Sequence, residues 1–232
     1  MKKVFIFLLI STSFLFGQSK NADEIINQLK NGFKEVKDYV ADVTITTDIN
    51  FIKVPKMHAK IYFKQPDKVH FESKGFALLP KNGMFTSPLS FLNDDYTALY
   101  VKEDEQDGYK TSVVKVIPLN DKGNLILTTL WIDQSKNVIR KVEASTKTNG
   151  TFILLLKYSS NMKYPLPDSM ILSFNTPIRR MHRGMHPDLD ENSKKNNSDT
   201  ISGKIIIDYT KYVVNKGISD SVFTNDQKED RN

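Results

Sequence analysis

The chain contains no cysteine. Disulfides are therefore excluded, and the fold must rely on its own core, which 232 residues are enough to build. No thiol is present to act as a nucleophile, and no G-x-S-x-G elbow offers a serine in its place. Glycine is scarce, and its spacing makes no loop that could cradle phosphate. Long apolar runs are missing after Phe16: Lys, Asp, Glu or Asn interrupts each one, so no later helix would span a bilayer. Basic clusters interleaved with aromatics are also absent, which argues against a nucleic-acid partner. The formal net charge is +6, of which Lys2 and Lys3 supply two. Lys60, Lys64, Lys110 and Lys115 stand singly on the polar faces of expected strands. A solvated sheet face accounts for them; contact with an anionic membrane surface is the sharper alternative.

What is present begins with an address. Met1-Lys2-Lys3 is a positive start, Val4 to Ile10 and Phe14 to Phe16 are apolar around Ser11-Thr12-Ser13, and small residues follow at Gly17 and Ser19. This pattern predicts a secretory signal peptide over 1–19. A short membrane anchor is the alternative, but the run falls short of the ~20 residues a span needs. With no cysteine behind it to take a lipid, the expectation is a soluble, unanchored protein of a bacterial periplasm.

The mature part reads as one domain over 20–225, without internal repeats. Asn21 to Val36 carries Ile25, Ile26, Leu29, Phe33 and Val36 on one stripe, which predicts an amphipathic helix capped by Asn21 or Asp23. Tyr39, Ala41, Val43, Ile45, Thr47 and Ile49 alternate with Asp42, Thr44, Thr46 and Asp48. Met57, Ala59, Ile61 and Phe63 alternate with His58, Lys60, Tyr62 and Lys64. After Gln65-Pro66-Asp67, Val69 and Phe71 resume against Lys68, His70 and Glu72, as in an antiparallel hairpin with one wetter face. Further strands are expected over 98–103, 109–117, 124–133, 138–144, 151–158, 169–175 and 202–214. A turn-rich loop is expected over 104–108. Roughly ten closely spaced strands predict a mainly β (α+β) protein with one large antiparallel sheet, closed or half-closed.

The stretches 124–133 and 151–158 are apolar on both faces, so the sheet should be covered unevenly. Phe76 to Leu92 is apolar but broken by Pro80, Gly83 and Pro88. It either packs on the core or acts as a lid over a cavity. Residues 176–200 form a polar insertion, expected to be a mobile loop, and 226–232 a disordered tail.

Catalytic chemistry is hard to place. Asp94-Asp95 and the acidic cluster 104–107 read as solvated turns rather than an acid–base or metal pair. His182 and His186 have the spacing of metal ligands on a helix, and Asp188, Asp190 and Glu191 could add oxygens. Gly184 and Pro187 oppose that helix, and no H-E-x-x-H glutamate accompanies the pair, so a polar loop explains them better. His58 and His70 are expected to face water. No catalytic residue, metal site or cofactor is expected, and the chain reads as a binding protein rather than an enzyme. Its apolar side chains exceed what one packed face needs. A concave apolar pocket suits acyl chains, since each buried methylene is worth ~0.8 kcal/mol. An ordinary packed core is the alternative.

Several phrases then resemble a known family. The leading helix, the strand after it and "IYFKQPDKVHFES" look like the N-terminal half of LolA-like periplasmic lipoprotein carriers, the superfamily of LolA, LolB, LppX and the N-terminal domain of RseB/MucB. "VVKVIPLN", "LTTLWIDQSKNVIRKVEA", "GTFILLLKYS" and "LPDSMILSFNTP" fit the later strands. "VVNKGISDSVF" is similar to the close of outer membrane lipoprotein-sorting proteins. The chain departs from the pattern in having no arginine in its first hundred residues and in the length of 176–200.

The resemblance implies an unclosed half-barrel with helices over its concave face. It also implies a monomeric carrier that binds lipoprotein acyl chains or lipid and shuttles them from an inner-membrane transporter to an outer-membrane acceptor. An envelope-stress regulator like RseB is the alternative. On this reading Val43, Ile45, Ile61, Phe63, Phe71, Leu127 and Trp131 line the cavity, and Met84, Phe85, Leu89 and Phe91 form the lid. A one-residue slip would invert every strand assignment.

Overall fold

The computed structural model describes residues 21–50, 54–73, 87–92, 95–120, 123–148, 150–177 and 200–224. The stretch 1–19, Met84, Phe85, His182, His186 and the tail 226–232 lie outside the described residues.

Among the described residues one helix, α1 (Ala22–Phe33), precedes ten strands: β1 (Asp38–Ile49), β2 (Met57–Lys64), β3 (Lys68–Ser73), β4 (Tyr96–Gln106), β5 (Tyr109–Pro118), β6 (Leu125–Asp133), β7 (Val138–Thr146), β8 (Gly150–Lys157), β9 (Ser169–Pro177) and β10 (Thr200–Val214). Single 3-10 turns stand at Ser90–Leu92 and Asp220–Phe223. The strands form a single antiparallel sheet in the order β3-β2-β1-β10-β9-β8-β7-β6-β5-β4. β3 and β4 are its two edges, so the sheet is not closed into a barrel. Among the described residues, no helix is long and apolar enough to cross a membrane.

The curl of this sheet follows from what α1 touches. Phe33 meets Phe63 of β2 edge to face at 5.8 Å, and Lys30 lies 4.9 Å over the Tyr96 ring of β4. β2 and β4 are eight places apart in the sheet. Flat, they would be separated by about 38 Å at ~4.8 Å per strand. A helix of this length extends about 18 Å. Only a sheet wrapped around α1 brings both strands to it.

The helix forms where the stripe predicts. Asn21 caps it by accepting from the Asp23 amide at 2.9 Å, and Ile25, Ile26, Leu29 and Phe33 are buried. It ends at Phe33, three residues before the stripe does, because the chain turns there into β1. Gln65 holds that turn, its side-chain amide donating to the carbonyls of Phe33 (3.3 Å) and Val36 (2.8 Å).

Two expectations change at strand ends. The stretch 104–108 is not a loop: β4 runs to Gln106, and Asp107-Gly108 alone makes the turn, with φ of 51° and 79°. Both central residues of a two-residue hairpin turn of this hand need positive φ, which Asp-Gly supplies. The polar stretch 176–200 begins and ends as strand, since Thr176 and Pro177 pair with Ile201 and Thr200.

Candidate functional site

The strand ladders assemble one continuous apolar face on the side of α1. Across β2 and β1, Phe63 pairs with Tyr39, Ile61 with Ala41, Ala59 with Val43, and Met57 with Ile45. β10 continues the face with Tyr212, Tyr209, Ile207 and Ile205, and β9 with Met170 and Leu172. β8 adds Leu154 and Leu156, β7 Val142, β6 Leu130, and β5 Val114. All but Tyr212 are buried, and they belong to one core cluster. The turn before β4 folds onto the same face: Phe91 and Leu92 are buried, and the Phe91 ring lies 6.3 Å from that of Phe152.

Val43, Ile45, Ile61 and Phe63 are thus brought together under α1, and each is at most 2% exposed. Phe71 is half-buried beside Ile61, and Leu89 packs half-buried against the cluster with Phe91. Leu127 and Trp131 are not among them. Their strand buries Thr128, Leu130 and Ile132 on the helix side, which leaves Leu127 and Trp131 on the outer face. There the Trp131 indole donates to Asp104 Oδ2 at 3.1 Å, and Lys141 Nζ lies 4.1 Å over the ring. Both faces of this strand are apolar in sequence, so alternation could not say which is which. Asp104, expected on a solvated turn, is a strand residue. The Trp131 bond first, then the Glu105 amide and Lys102, lowers its carboxyl pKa to about 2.

At one end of the inner face stands an aromatic cluster that sequence reading missed. Tyr39 stacks on Phe63 at 5.2 Å and meets Tyr212 edge to face at 5.5 Å; Tyr212 stacks on Tyr209 at 5.2 Å. The Tyr209 hydroxyl donates to Met170 Sδ at 2.9 Å, and that of Tyr212 to the Pro167 carbonyl at 2.8 Å. Burial pushes all of these phenols up, so they stay neutral. Tyr158 belongs to the same end and is buried, with no hydrogen-bond partner for its hydroxyl among the described residues.

Beside it lies a buried ion pair. Arg140 is the extra residue of a bulge in β7, where Trp131 pairs with Lys141 and Ile132 with Ile139. Its guanidinium donates to Asp133 Oδ2 from Nε (3.2 Å) and Nη2 (2.8 Å), and lies over the rings of Tyr109 (3.6 Å) and Tyr158 (5.4 Å). Ser135 donates to Asp133 Oδ1 from both its amide (3.0 Å) and its hydroxyl (2.6 Å). Burial works against the Asp133 charge, but the bonds from Ser135 and Arg140 outweigh it and hold the carboxyl below its usual range.

On the outer face, Thr44 Oγ1 meets His58 Nδ1 at 3.2 Å, and Tyr62 donates to Glu72 at 2.8 Å. His58 is exposed as expected, while His70 is half-buried against Tyr62.

No family model matches the sequence, and no curated protein is similar to it in sequence. Solved structures are similar in shape. A LolA superfamily protein from Nitrosomonas europaea matches with a TM-score of 0.57 at 12% identity, over 90% of this chain and 100% of its own. A DUF1329 family protein from Desulfovibrio piger matches with 0.57 at 12%, over 90% and 99%. A candidate outer membrane lipoprotein-sorting protein domain from Vibrio parahaemolyticus matches with 0.56 at 10%, over 89% and 99%. At such identities the likeness concerns fold alone, and it agrees with the sheet and helix described above: the chain has the LolA-like fold, an unclosed antiparallel sheet wrapped around a helix.

Proposed function

We propose that the inner face of the half-barrel binds acyl chains of lipids or lipoproteins, and that the protein is an exported, non-enzymatic carrier moving them across the periplasm toward the outer membrane. The observation that carries this reading is the continuous apolar face running from β2 to β5 under a cover whose described part is one helix and one short turn. Binding there needs area, not a reacting group: at ~25 cal/mol per Å² a few hundred Å² of buried chain supplies micromolar affinity. The fold shared with a LolA superfamily protein supports the same reading, and the N-terminal export pattern supports its location.

The lining is assigned to Val43, Ile45, Ile61, Phe63 and Phe71, with Leu130 and Ile132 of β6 in the places first given to Leu127 and Trp131. Because these residues are packed, acyl chains enter by displacing the cover, of which α1, Leu89 and Phe91 are the described part. An inner-membrane transporter and an outer-membrane acceptor are the partners such a carrier requires.

The test is mass spectrometry of the protein purified from its periplasm, joined to titration with a fluorescent acyl lipid. Co-purified lipid or lipoprotein and saturable uptake are expected. Recovery of bare protein that takes up no acyl lipid would end this reading.

A further inference from the structure

One row of the inner face differs from its neighbours in size and polarity. Read across hydrogen-bonded partners, it runs Ala98 (β4), Val116 (β5), Thr128 (β6), Ala144 (β7) and Phe152 (β8). It lies toward the end of the sheet where β3 passes to β4 and β9 to β10. Thr128 is 1% exposed, and among the described residues its Oγ1 has no hydrogen-bond partner. Nothing else in the row could give it one, since its neighbours present methyl, isopropyl and phenyl groups. A buried hydroxyl without a partner destabilises the fold until a hydrogen-bonding group completes it.

We propose that this hydroxyl donates to a neutral oxygen of the bound lipid, an acyl ester or amide carbonyl, which reaches it once the cover is displaced. The assignment rests on the carrier reading and sharpens it from acyl chains in general to esterified or amide-linked acyl chains. Charge decides the class. No ionisable side chain stands in the row, and the buried cation Arg140 is already paired with Asp133. A carboxylate or phosphate brought beside Thr128 would lose its hydration with no counter-charge in the row, since Lys30, over the Tyr96 ring of β4, stands two strands away. A carbonyl asks for one hydrogen bond from a neutral donor, which is what Thr128 has to give. The rest of the chain then follows the apolar face toward the tyrosine cluster.

The test titrates the exported protein and two variants, Thr128→Val and Thr128→Ser, with monopalmitoylglycerol and with palmitate, and records the melting temperature without lipid. Wild type is expected to prefer the ester. Thr128→Val is expected to weaken ester binding about fivefold, the value of one net hydrogen bond, and to leave palmitate unchanged. It should also raise the lipid-free melting temperature, because an isosteric group without a hydroxyl replaces one that lacks a partner. Thr128→Ser keeps the donor and should retain the ester preference. Equal loss for both lipids, no change for either, or a lower melting temperature in Thr128→Val overturns the assignment while leaving the carrier reading standing. Binding of neither lipid by wild type overturns both.

Discussion

A carboxylate taken out of water destabilises a fold unless donors replace the water, and Asp133 has four: two from Arg140 and two from Ser135. Removing it leaves a buried guanidinium without its counter-charge. Asp133→Ala is therefore expected to lower unfolding free energy by about 3–5 kcal/mol in urea at neutral pH. The sign of the pH dependence follows from the depressed carboxyl. Its contribution is complete above the unfolded value of about 3.9 and is lost as pH falls through the lower folded value. The gap between wild type and Asp133→Ala should thus narrow below about pH 4. A gap that stays constant to the acid limit would show that the pair contributes nothing through its charge. None of this was legible in sequence. Asp133 and Arg140 stand seven residues apart on either side of a polar turn, and only the pairing of β6 with β7 brings them together.

The helix was legible because one short element carries its own periodicity. Ile26, fully buried, is the position where truncation should tell most: Ile26→Ala is expected to cost about 2–5 kcal/mol. Asn21→Ala, which loses only the cap, should cost about 1 kcal/mol. Equal effects of the two would mean that α1 does not pack on the sheet. The facing of a strand was legible where one side is polar, as in β1 and β2, and not where both are apolar, as in β6, whose strand was expected over 124–133 but whose buried side was not. There the structure separates Leu130, under the helix, from Leu127, on the outer face. Leu130→Ala should cost about 2–5 kcal/mol by denaturant titration, and Leu127→Ala clearly less. The reverse order would invert the strand.

At the scale of the molecule, the sheet is held by pairings that its edges lack. β1 and β10 sit inside the order and are bonded on both sides, while β3 and β4 are bonded to one neighbour each. Amide exchange should accordingly be slowest in β1 and β10 and faster in β3 and β4, since edge strands open locally before the whole fold does. Uniform protection across all ten strands would contradict an open sheet. The two edges also differ in manner. β3 carries Lys68, His70 and Glu72, charges and a polar ring that discourage further pairing, whereas β4 begins with the uncharged run Tyr96 to Val101 and turns acidic only after Lys102.

The sequence by itself determined the helix, the number of strands and the class of the fold, because each of these depends on residues a few positions apart. It left open which strands are neighbours and which face each apolar strand buries. The pairing of β1 with β10 joins residues about 170 positions apart, and no local period records it. That pairing, and the curl it gives the sheet, decided that Val43, Ile45, Ile61 and Phe63 share one covered face while Leu127 and Trp131 stand outside it. The pairing of β6 with β5 and β7 places Thr128, unremarkable in "LTTLW", on that face, its hydroxyl buried without a partner among the described residues. Side-chain neighbours across a sheet are set by register, and register is a property of the folded chain.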